Sequence, residues 1–116
     1  MSLESRITGN RQGACIPYSY EDLTKKFRKL AEKEKAFIVH GWIYSSVLKK
    51  HIKHAWIEFT EGKNKDNIYE VVKQNYIPKK ALVERDWLRE VKRYSLLDIM
   101  KLSMRTNSRG GKFEFE

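Results

Sequence analysis

At 116 residues, with 24 Lys plus Arg against 15 Asp plus Glu and a formal charge of +9, the chain is long enough for one domain with its own core and too short for two. Its single cysteine excludes an intramolecular disulfide and any multi-cysteine zinc or iron–sulfur centre. No apolar run approaches the roughly 20 residues that span a bilayer, and the opening Met1 to Arg6 lacks the apolar core of a secretory signal, so the expectation is a cytoplasmic protein with no membrane contact.

Residues 1–11 read as a polar lead-in expected to be flexible, ahead of Gln12-Gly13-Ala14-Cys15. From Pro17 to Lys35 the apolar positions Tyr20, Leu23, Phe27, Leu30 and Ala31 recur at helical spacing, with Lys25, Lys26, Lys29 and Lys33 on the other side. The start of this helix is open between Pro17 at its first position and Ser19 as cap with Asp22 three residues on. Ala36 to Tyr44 and Ala55 to Thr60 are rich in β-branched and aromatic residues and predict two neighbouring antiparallel strands, with Lys49, Lys50 and Lys53 near the connecting turn. Alternation sets His54, Trp56 and Glu58 on one face of the second strand and Ala55, Ile57 and Phe59 on the other. After the polar loop Glu61 to Asn67, the segment Ile68 to Val72 predicts a third strand. Pro78 opens an expected helix to about Val91, and Ser95 with Asp98 forms the capping box of a last helix through Leu96, Ile99, Met100 and Leu102. The tail 106–116 is expected to be flexible. The whole, 1–116, is expected to be a single α+β domain in which an N-terminal helix packs on a small antiparallel sheet, with C-terminal helices on an edge or the same face.

The charge is spread evenly: residues 1–60 carry 11 basic and 6 acidic side chains, and residues 61–116 carry 13 and 9. That pattern speaks for a solvated surface and a possible acidic partner more than for dedicated nucleic-acid binding. Chemistry is better sought at the cysteine. A thiol becomes a nucleophile when a helix N-terminus or a neighbouring imidazolium favours its thiolate, and the histidine in turn needs an orienting group on its second ring nitrogen. Cys15 stands ahead of the first helix, His54 lies in one strand and Glu70 in the next, so adjacent strands can hold imidazole and carboxylate on one face. Glu58, on the same face, is the alternative acid, but four residues along a strand amount to about 13 Å, out of reach of the imidazole without a bulge. His40, His51 and His54 suggest a metal site only superficially, because odd spacing along a strand sends side chains to opposite faces.

Gln12-Gly13-Ala14-Cys15 before a helix, the strand Phe37-Ile38-Val39-His40-Gly41-Trp42-Ile43, the stretch His54-Ala55-Trp56-Ile57-Glu58-Phe59 and then Ile68-Tyr69-Glu70 resemble the transglutaminase-like branch of the papain-like cysteine peptidase superfamily. Small phage and bacterial proteins with a His-Gly strand and a His-Ala-Trp-x-Glu strand are the most similar type. The resemblance implies a papain-like core, Cys15 as nucleophile, His54 as general base and acid, and Glu70 as the residue orienting His54; Trp56 and Glu58, on the same strand face as His54, are the candidates to line a cleft beside it. It implies a peptide, protein or other amide substrate and no cofactor or metal. The family's oxyanion-hole Gln stands six residues before the cysteine, where this chain has Gly9, so Gln12 or Asn10 is the substitute candidate. The chain also has Glu70-Val71 where the family has Asp-Pro. The rival expectation is a binding module in which Lys49, Lys50 and Lys53, beside Trp42 or Tyr44, hold an anionic partner such as nucleic acid.

Overall fold

The structure, a computed structural model, describes residues 14–116. Its elements are α1 (Cys15–Thr24), α2 (Arg28–Glu32), β1 (Ala36–Ser45), β2 (Lys50–Phe59), β3 (Asn67–Glu70), β4 (Asn75–Pro78), α3 (Lys79–Glu84), β5 (Leu88–Tyr94) and α4 (Leu96–Thr106). The five strands form one antiparallel sheet in the order β4-β3-β2-β1-β5. The α+β class and the helix packed on an antiparallel sheet are as the hydrophobic pattern predicts. Among the described residues no helix is long and apolar enough to cross a membrane.

Period-2 alternation gives the sheet two apolar faces. Ala36, Ile38, Ile57, Phe59, Tyr69 and Tyr94 pack beneath Leu23 of α1, Ala31 of α2 and Ile99 and Leu102 of α4. Phe37, Val39, Trp56, Ile68 and Leu88 form the opposite cluster, against which Ile43, Ile77 and Leu82 pack. Several expectations need correction. The first helix is not continuous to Lys35: the Thr24 hydroxyl bonds back to the Tyr20 and Glu21 carbonyls, a competition that bends helices, and the break lets Phe27 meet the rings of Phe59 and Tyr69 edge-on. The second strand starts at Lys50, five residues early, because the β1–β2 ladder runs on to Ser45↔Lys50.

The largest correction is the helix expected from Pro78 to Val91. It stops at Glu84, and Leu88–Tyr94 is a fifth strand paired with β1. The chain turns there with Asp86 at φ 56. β1 is buried along its first six residues, and a buried strand must satisfy its backbone groups on both edges. This requirement outweighs the i, i+3 spacing of Leu88 and Val91 that suggested a helix.

Ser95 caps α4 as its sequence predicts, its hydroxyl accepting from the Asp98 N–H at 3.2 Å. Ser95→Ala is expected to lower stability by about 1 kcal/mol, read as a reduced urea midpoint with unchanged slope. The C-terminal segment, expected as a flexible tail, lies along the sheet: Phe113 meets His40 and Phe115 meets Trp42, with ring centroids at 5.0 and 5.3 Å, while Arg105 donates twice to the Glu114 carboxylate.

Gly41 sits opposite His54 on β1, beside an irregularity in the β1–β5 register. A Cβ at this position would collide with the Arg89 carbonyl and come within 2.8 Å of the Trp56 ring. Backbone cannot yield as a flexible side chain can, so Gly41→Ala is expected to cost about 2–3 kcal/mol, measurable by urea denaturation, and to displace the ring that stacks on His54.

Candidate active site

Cys15 is the first residue of α1, which settles the open helix start: neither Pro17 nor Ser19 begins it. Pro17 falls at the third position, where its missing N–H leaves nothing unpaired, and the Ser19 hydroxyl donates to the Ile16 carbonyl within the first turn. The Tyr18 N–H already bonds to the Ala14 carbonyl. The amides of Cys15 and Ile16 are therefore the first-turn donors with no intrahelical acceptor, directed toward whatever stands before the helix. The thiol is free and half-buried.

His54 lies in the middle of β2 and is buried. The β2–β3 ladder covers only Ile57↔Tyr69 and Glu58↔Ile68, so β2 has no strand partner on that side where His54 sits. Two side chains meet the ring there. Its Nε2 donates to Glu70 Oε1 at 2.7 Å, and Cys15 interacts with the ring closely enough to raise its pKa. Glu70, at the end of β3, is fixed by the turn that follows it: Oε1 also accepts the Val72 N–H at 3.2 Å and Oε2 accepts the Lys73 N–H at 2.8 Å. The carboxylate thus reaches His54 from a backbone cradle rather than from a free rotamer.

Electrostatics bind the group together. Burial alone would lower the His54 pKa, but the hydrogen bonds and negative charge of Cys15 and Glu70 push it up to about 10. Burial would likewise raise Glu70, but the bond to His54, its positive charge and the Lys73 and Val72 N–H groups hold the carboxyl below the usual range. Near neutral pH the imidazole is a cation.

The remaining candidates separate. Trp56 lies nearly parallel to the His54 ring, at 6.5 Å and 21°. Its Nε1–H donates to Glu58 Oε2 at 2.8 Å, and Glu58 Oε1 receives Lys79 Nζ at 2.7 Å. Glu58 therefore buttresses the tryptophan, and Glu70 is the carboxylate on the histidine. Gln12 and Asn10 lie outside the described residues. Lys50 and Lys53 fall on opposite faces of β2 by alternation, Lys53 standing over the Trp42 and Phe115 rings, and Lys49 occupies the turn at φ 56. His40 is buried against Tyr94 and Phe113 with neither ring nitrogen bonded to protein. Burial, reinforced by Lys92 against the opposing Glu114, pushes its pKa down to about 4. The His51 Nε2–H donates to the Asp86 carbonyl. Among the described residues no group of three His, Cys, Asp or Glu could hold a metal ion.

Sequence reasoning missed the cradle at Val72 and Lys73, the Lys79 partner of Glu58, and a cavity of about 280 Å³ lined in part by His54 and Glu70. Only Gly41 hinted at the crowding around Trp56. Comparison with protein-family models, with curated proteins and with solved structures finds no match to this chain.

Proposed function

We propose that the protein is a cysteine hydrolase or acyltransferase of the transglutaminase-like, papain-like type, acting on an amide or related acyl bond. The observation that carries this reading is one buried imidazole hydrogen-bonded to a carboxylate and interacting with a thiol at a helix N-terminus. The Cys15 thiolate attacks the acyl carbonyl. The oxygen of the tetrahedral adduct is stabilised by the first-turn amides of α1. His54 gives its proton to the departing amine as the C–N bond breaks, leaving a thioester on Cys15. Water or an acceptor amine then attacks the thioester, His54 taking its proton, and the thiolate leaves. Glu70 keeps the imidazole oriented throughout and stabilises its protonated form whenever it carries the proton.

The test is turnover of a panel of peptidyl amides and activated esters by the wild type and Cys15→Ala. The variant is expected to lose activity by about 10³-fold or more while keeping its fold. Equal rates for the two proteins would remove the thiol from the chemistry.

A further inference from the structure

The C-terminal segment is held to the sheet through its side chains. Phe113 and Phe115 stand edge-on to His40, to Trp42 and to each other, with ring centroids at 5.0, 5.3 and 5.6 Å. Glu114 between them accepts twice from the exposed Arg105. Among the described residues no backbone hydrogen bond joins residues 112–116 to the sheet. What the segment covers opposes the covering. His40 is fully buried with neither ring nitrogen hydrogen-bonded, and Tyr94, whose ring lies 4.9 Å from it, is buried with its hydroxyl unbonded. Buried polar groups are normally paired, and those left unpaired forfeit their bonds to water. Lifting the segment would return these atoms to water, so the closed and lifted states are closer in free energy than the ring contacts alone would make them.

We infer that residues 112–116 form an acid-released strap, closed over a neutral His40 and lifted when that imidazole takes up a proton. The charged groups facing His40 are Lys92, its partner on β5, and Glu114 of the strap. On the other side β2 presents Ala55, and α4 contributes Arg105, bound to Glu114 and acting on Tyr94. Glu114 is thus committed to Arg105 and lies 3.8 Å from Lys92. An imidazolium formed under the closed strap would be stripped of water beside Lys92, with no acceptor bonded to it. Burial, with Lys92 adding to it, accordingly holds the covered ring at about 4, against 6.5 for a free one. Glu114, held below the usual carboxylate range chiefly by its bond to Arg105, keeps its charge over most of that interval. The lifted state therefore binds a proton that the closed state refuses: closure is at full strength above pH 6.5 and weakens as the pH falls from there toward 4, by up to about tenfold per pH unit. Lifting uncovers Trp42, with Lys53 Nζ 6.0 Å from its ring. None of this depends on the proposed thiol chemistry.

Cleavage of the full chain after Glu114 by a glutamate-specific endopeptidase reads the lifted population, because proteolysis through fast opening tracks the opening equilibrium. Dividing each rate by that of the free peptide Gly-Lys-Phe-Glu-Phe-Glu at the same pH removes the endopeptidase's own pH dependence. The normalised rate is expected to rise by roughly 30-fold from pH 6.5 to 4.5, with the near-ultraviolet circular dichroism of the body unchanged. His40→Leu, which cannot titrate, should slow the cleavage and remove the rise. Tyr94→Phe deletes the unbonded hydroxyl and keeps the histidine, so it should slow cleavage by a constant factor and keep the rise. If His40→Leu does not fold, the wild type still supplies the test: the nuclear Overhauser effect between the Phe113 and His40 rings should fade over the same interval. A normalised rate that is flat from pH 6.5 to 4.5, a rise undiminished in folded His40→Leu, or a ring-to-ring effect of constant intensity would overturn the inference.

Discussion

Replacing His54 by Ala is expected to slow alkylation of Cys15 by iodoacetamide at pH 7 by about 30-fold, with the unfolded proteins labelling at equal rates. The thiolate is the reacting species, and in the native protein the His54 imidazolium interacts with Cys15. Two unit charges about 4 Å apart attract by about 4 kcal/mol at an effective dielectric of ~20. Desolvation takes back a share of this, and a remainder of ~2 kcal/mol corresponds to the 30-fold stated. His54→Asn, which keeps a polar side chain against Trp56, should slow labelling similarly. His51→Ala should leave the rate unchanged, since His51 is engaged with the Asp86 carbonyl. Equal labelling of wild type and both His54 variants would dissolve the thiol–imidazole pair.

The second large effect is on stability and its pH dependence. His54 titrates at about 10 in the folded chain against 6.5 when free. Its contribution is complete below pH 6.5 and is lost as the pH rises through 10, because over that interval the folded state holds a proton that the unfolded state has released. The loss proceeds at up to about 1.4 kcal/mol per pH unit. Glu70 runs the opposite way. Its pKa is lowered, so its contribution is present above the ordinary carboxylate range and disappears as the pH falls through the lowered value. Stability from the pair is therefore greatest between about pH 5 and 6.5. Glu70→Ala leaves a buried imidazole without its counter-charge and the Val72 and Lys73 N–H groups without an acceptor. It should cost about 3–5 kcal/mol at pH 6 and flatten the decline between pH 7 and 10. Urea midpoints across this range measure both; a variant with wild-type slope would mean that Glu70 does not set the charge on His54.

Much of this geometry is legible in the chain because it follows from alternation. His54, Trp56 and Glu58 share a face since they are two residues apart, and Ile68 to Glu70 is the next strand, so the meeting of His54 with Glu70 needs only the sheet order. The helix start is less legible, since proline is tolerated anywhere in a first turn and Ser19 carries the chemistry of a cap without acting as one. β5 is hidden because Leu88 and Val91, three apart, suit either period, and the deciding influence is the open edge of β1, some fifty residues earlier in the chain. The Lys79 that occupies Glu58 and the backbone cradle of Glu70 arise from tertiary placement, on which local spacing is silent.

The claim on which the rest depends is that Cys15 and Glu70 together hold the charge on the His54 imidazole. It is tested most directly by the ¹⁵N resonances of the His54 ring followed from pH 5 to 11 in the wild type and in Cys15→Ala and Glu70→Gln. Both ring nitrogens should remain protonated through neutrality in the wild type, with titration far above 6.5 and a lower midpoint in each variant. A ring that titrates near 6.5 and is indifferent to both substitutions would contradict the account.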